Sequence, residues 1–134
     1  MSTIFDIAGS GMAAQSLRLN LVASNLANAD STSGPDGDAY RAQNPVFSTV
    51  LQGAQSAAGS GVRVTDVVED PSPLPMRYDP NHPHANEQGY VEMSNVNTMA
   101  EMANMMSASR SYQSNIEIMN TTKQLMLRTL QMGR

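Results

Sequence analysis

Apolar residues recur at a three-and-four spacing from the start of the chain. Phe5, Ala8, Met12, Leu19, Val22 and Leu26 fall on one stripe, interrupted at Gln15. This predicts a single helix over residues 4–28, about 38 Å long at ~1.5 Å per residue. Its end turns small and polar in SNLANAD (24–30), where Asn25 and Asn28 flank Leu26. DSTSGPDG (30–37) then supplies the glycine and proline chemistry that stops a helix.

A second stripe closes the chain. Met102, Met105, Tyr112, Ile116, Met119, Met126 and Leu130 keep the same spacing, with breaks at Ser109 and Lys123, and no proline or glycine interrupts residues 94–132. A helix over that range is about 58 Å long. A globule of this chain length is ~30 to 40 Å across, from a radius of gyration of ~14 Å, so the helix must protrude. At its start, Asn97 can cap the first turn, and Thr98 followed by Glu101 fits the capping-box pattern.

Between the helices, residues 38–93 carry Pro45, Pro71, Pro73, Pro75, Pro80 and Pro83, with Gly53, Gly59, Gly61 and Gly89. The breakers leave short β-like runs at 45–51, 61–70, 75–79 and 89–93. Val62 and Val64 alternate with Arg63 and Thr65 until Val67 and Val68 break the period. QGAQSAAGSG (52–61) reads as a flexible loop. The fold class that follows is mainly α: long N- and C-terminal helices paired as an elongated coiled coil, with a small irregular β-containing middle segment. Residues 1–30 and 94–134 form its helical part and 31–93 its middle.

Composition changes this picture in one respect. Two Phe, four Tyr and no Trp are available for a core, against eleven Met among the 134 residues. Such a core is thin, and the expectation is that neighbours complete it. Isolated terminal helices would then be partly disordered and fold on assembly. The net charge is −4 with Lys123 as the lysine, which disfavours a nucleic-acid partner. With no cysteine, disulfides, thiolate metal sites and thiol nucleophiles are excluded. The first residues lack the basic and continuously apolar regions of a cleaved signal peptide, and no apolar run approaches the ~18 residues of a membrane span.

Candidate chemistry is sparse. Gly9, Gly11 and Ala14 match G-x-G-x-x-A with Asp30 about 20 residues on, yet a dinucleotide site needs a buried strand before the glycines. Close helix packing explains them better. His82 and His84 flank Pro83 and point poorly at one ion, and Pro83 and Tyr90 defeat a calcium-loop reading of 79–90, so a solvated turn is expected. Glu69 with Asp70, and Asp36 with Asp38, lie in turn-like contexts without an apolar pocket. No catalytic residue, cofactor, metal or small-molecule substrate is expected.

The two ends carry a resemblance. IFDIAGSGMAAQSLRLNLVASNLANADSTSGPDGDAYRA (4–42) and GYVEMSNVNTMAEMANMMSASRSYQSNIEIMNTTKQLMLRTLQMG (89–133) together resemble the bacterial flagellar axial family, and its proximal rod type in particular. Hook and distal rod relatives are longer in the middle. The resemblance implies export through the flagellar type III apparatus without signal cleavage and assembly into the basal-body rod across the periplasm. Other rod proteins, copies of the chain itself, and the inner-membrane ring with the base of the export gate are the implied partners. The terminal helices would form an inner coiled-coil layer.

Assembly contacts are expected at Leu19, Val22, Asn25, Leu26 and Asn28 on the first helix, with Met102, Met105, Arg110, Tyr112, Ile116, Met119, Met126 and Leu130 on the second. Asn25 and Asn28 are expected to fix register across a subunit contact, as buried asparagine does in coiled coils. The rival reading is a helical adaptor or export chaperone that holds a peptide on its methionine face.

Overall fold

The computed structural model describes residues 2–32, 39–50 and 61–133. Helix α1 spans Ser2–Ala27 and helix α2 spans Thr98–Met132, about 39 and 52 Å long. Among the described residues four strands lie between them: β1 (Gln43–Val50), β2 (Gly61–Glu69), β3 (Met76–Tyr78) and β4 (Tyr90–Glu92). They form two antiparallel pairs, β1 with β2 and β3 with β4. The molecule is thus mainly helical with two small sheets, as the pattern predicts. The loop expected at 52–61 lies outside the described residues, except for Gly61.

The helices lie along each other antiparallel. Near the end of α1, Arg18 Nε donates to Asn104 Oδ1 at 2.7 Å, while nearer its start Gly11 faces Asn115. A Cβ on Gly11 would sit 2.8 Å from Asn115 Nδ2, so the glycine is there for close approach. Both glycines of the G-x-G match are interior to one continuous helix with no strand before them, which removes the dinucleotide reading. Gly9 has nothing within 4 Å of the position a Cβ would take.

Two details of α2 correct the sequence reading. Asn97, with extended backbone (φ −94°, ψ 105°), is the N-cap and accepts from the Ala100 N–H at 3.2 Å. Thr98 is already helical and cannot serve as a cap residue, so the Thr98–Glu101 box does not form. Glu101 is buried instead, and its Oε2 makes no hydrogen bond. The helix also begins four residues later than expected. Ser94 is held extended, its N–H donating to the Ser31 carbonyl at 3.3 Å, beside a bridge between Thr32 and Met93.

The β1–β2 hairpin runs beside α1. Its register shifts between Val46 and Phe47, a bulge that follows Pro45. The expected alternation on β2 holds from Val62 to Thr65, with Val62 and Val64 half-buried and Arg63 and Thr65 exposed, and fails from Asp66 to Glu69, which are all exposed. The β3–β4 pair turns through Gly89, whose φ of +86° is one a side chain rarely adopts. A Cβ there would also come within 3.0 Å of the Tyr78 ring. Tyr78 and Tyr90 meet edge to face at 5.3 Å.

Few large side chains are buried. Ala8, Ala14, Leu21, Val22, Ala39, Ala42, Val91 and Ala108 make up the apolar core among the described residues. Asn25 ranks with Val22 and Val91 among the largest fully buried side chains.

Candidate assembly site

The surface that α2 leaves uncovered is set by its own periodicity. Its inward face carries Glu101, Asn104, Met105, Ala108, Tyr112, Asn115, Ile116, Met119 and Thr122, each buried or half-buried. Met102, Lys123 and Leu130, placed on the stripe by a strict seven-residue count, are exposed. A straight helix drifts ~20° per heptad from that count. On the inner face the α1 backbone comes close at Asn115, opposite Gly11.

Thr122 is the last buried residue of α2. From Lys123 to Gly133 every residue is exposed except half-buried Met126, so about 15 Å of helix extends past the contact with α1. Leu125, Leu127, Leu130 and Met132 lie on this extension, Leu130 at 67% exposure. Near the other end, Met99, Met102 and Met106 are exposed, whereas Met105 and Met119 turn inward. The methionine face is therefore two faces. Burying a large aliphatic side chain yields roughly 1.5 to 3 kcal/mol, so the extension alone offers several kcal/mol to a covering surface. Arg110 is exposed on the outer side of α2, and Ile118 is exposed nearby.

On α1, Val22 is buried, and Leu19 and Leu26 are half-buried. The SNLANAD segment is engaged within the chain. Asn25, 1% exposed, donates from Nδ2 to the Gln43 carbonyl at 3.0 Å. Its Oδ1 accepts from the Gln43 N–H at 3.0 Å and from the Tyr40 hydroxyl at 2.7 Å. Because Tyr40 gives its proton to Asn25, the Ser24 hydroxyl 3.1 Å away is the donor in the Ser24–Tyr40 bond. Asn28 stands just past α1 and closes it: its N–H and its side-chain amide both donate to the Ser24 carbonyl, at 3.1 and 2.8 Å. Both asparagines thus have hydrogen-bond partners within the chain.

Ser10, between the two glycines, is a second anchor. Its Oγ donates to the Ile7 carbonyl at 2.7 Å and accepts from the Val62 N–H at 3.0 Å. Sequence reasoning missed Ser10, Tyr40 and Asn95, whose Oδ1 accepts from the Ala42 N–H at 2.8 Å; for Asn95 the available signal was the echo of Ser24-Asn25 in Ser94-Asn95.

His82 and His84 lie in the turn between β3 and β4, where the His84 N–H donates to His82 Nδ1 at 3.0 Å. Among the described residues no cluster of three His, Asp or Glu could hold a metal ion, and no helix is long and apolar enough to cross a membrane.

Comparison with known proteins places these features. Residues 5–35 match the family described as flagella basal body rod protein, and residues 87–132 match the flagellar basal body rod FlgEFG protein C-terminal family. Over 131 residues the chain is 55% identical to the flagellar basal-body rod protein FlgC of Escherichia coli, covering 98% of this chain and 96% of the relative. The same values hold for FlgC of Salmonella typhimurium. FlgC of Borreliella burgdorferi is 36% identical over 135 residues, covering 90% of this chain and 89% of the relative. With two rod-family segments on its two packed helices and full-length similarity to rod proteins, the chain belongs to the FlgC family of flagellar basal-body rod proteins.

Proposed function

We propose that this chain is a structural subunit of the flagellar basal-body rod, exported without a cleaved signal and polymerised through its terminal helices. The observation that carries the reading is the uncovered end of α2, a run of leucines with no partner among the described residues of its own chain. Residues 1–30 and 94–134 would form the inner coiled-coil layer, with 31–93 outside it. Neighbours are other rod proteins and further copies, and at the rod's base the inner-membrane ring and export gate. Head-to-tail contacts between unlike patches extend an assembly, where like-to-like contacts close it.

Leu19, Val22, Leu26, Met102, Met105, Arg110, Tyr112, Ile116, Met119, Met126 and Leu130 are proposed as its contacts, made within the helix pair or to neighbours. Leu26→Asp and Ile116→Asp are expected to leave export intact and abolish rod assembly. The measurement is secreted protein together with swarming in a strain lacking the native subunit; normal swarming with both variants overturns the reading. The full-length similarity to rod proteins weighs against the adaptor or chaperone alternative.

A further inference from the structure

We propose that Asn25 and Asn95 form a two-sided clamp on the backbone of Ala42-Gln43, and that this clamp fixes the base of the β1–β2 hairpin and so sets the line it takes along the helix pair. All four main-chain polar groups of the dipeptide are involved. The Gln43 N–H and C=O both pair with the Asn25 amide. The Ala42 N–H donates to Asn95 Oδ1 at 2.8 Å, and the Ala42 carbonyl accepts from the Asp70 N–H at 2.7 Å. Asn95 then reaches the returning strand: its Nδ2 donates to the carbonyls of Asp70 and Ser72, each at 3.1 Å. Arg41 donates to the same two carbonyls, at 3.2 and 2.9 Å.

Asparagine suits this position because its planar amide carries one donor face and one acceptor face, like a peptide group. Paired with both main-chain groups of Gln43, Asn25 acts as a piece of neighbouring strand mounted on a helix. Aspartate keeps the acceptor and loses the donor, leucine loses both, and glutamine is a methylene too long. One asparagine comes from the end of α1, the other from just before α2, so both helices grip the same dipeptide from the chain ends. The far end of the hairpin is tied by Ser10 to Val62. From Gln43 to Thr49, the register partner of Val62, is roughly 20 Å at ~3.3 Å per residue. From Ser10 to Asn25 along α1 is about 22 Å. The two anchors therefore match in length and hold the hairpin as a strap rather than a hinge.

The clamp stands on one chain's geometry; its consequence for assembly rests on the rod reading. The two are tested separately. The chain has no cysteine, so Glu69→Cys and Gln113→Cys place spin labels on the hairpin base and on α2. The unaltered pair is expected to show one narrow distance distribution, and Asn25→Ala with Asn95→Ala to broaden it while helicity by circular dichroism is kept. A distribution that stays narrow in the double variant overturns the clamp. Should the double variant not fold, Asn25→Asp decides: its carboxyl, bonded to Tyr40 and Gln43, regains a donor when protonated, so its distribution is expected to narrow as pH falls toward the ordinary aspartate value and the reference chain's to stay unchanged. No pH response also overturns the clamp. Swarming lost in variants with broadened distances supports transmission through the strap; swarming kept shows that the clamp orients the hairpin without bearing on assembly.

Discussion

Gly9 and Gly11 stand two residues apart on one helix and have opposite reasons to be there. Glycine inside a helix costs about 0.5 to 1 kcal/mol relative to alanine. At Gly9 a methyl group meets nothing, so Gly9→Ala is expected to stabilise the chain by about that amount. At Gly11 the methyl group meets the Asn115 amide at 2.8 to 3.2 Å, so Gly11→Ala is expected to lose the gain and push the helices apart. Thermal melts of the two single variants check the contrast; equal shifts would show that Gly11 is not a packing glycine. Asn25 belongs to the same scale. A buried asparagine amid apolar spacing is legible as unusual, but whether its partner lies in the same chain or a neighbouring one depends on how residues 40–43 return to α1, and no local pattern encodes that.

At the scale of elements, boundaries depended on caps and joints. Asn97 caps α2 with one side-chain bond to Ala100, and Asn97→Ala is expected to cost about 1 kcal/mol, read from the melting of the helical signal. Asp70 closes the turn after β2 by accepting from the Ser72 N–H at 2.9 Å. The Ser72 side-chain and backbone hydrogen bonds hold the Asp70 carboxyl below its ordinary value of 3.8; desolvation opposes them, and the Arg41 charge adds a lesser push downward. The folded form therefore favours the ionised group. Its contribution is present above pH 3.8 and fades as pH falls through the lowered value. An NMR titration should place Asp70 below 3.8, and Ser72→Ala should move it back up. All four strand runs were readable because prolines and glycines bound them. The exposure of Asp66 to Glu69 was not, because it follows from where α1 lies beneath the hairpin.

For the whole molecule, the exposed end of α2 separates folding from assembly. Among the described residues, those from Lys123 to Gly133 are exposed apart from half-buried Met126. Deleting residues 124–134 is expected to change the stability of the isolated subunit by about 0.5 kcal/mol or less, and to abolish swarming. Stability measured on purified chain beside a swarm assay separates the two effects; a large loss of stability in the subunit would mean that the extension folds back on its own chain. The sequence by itself determined the two helices, the four strands and the apolar residues to spare, since periodicity and breakers act locally along the chain. Tertiary structure alone decided which face of α2 meets α1 and which residues grip Ala42-Gln43, because those outcomes depend on the close approach that Gly11 permits and on a return of the chain across some 18 residues, from Asn25 to Gln43.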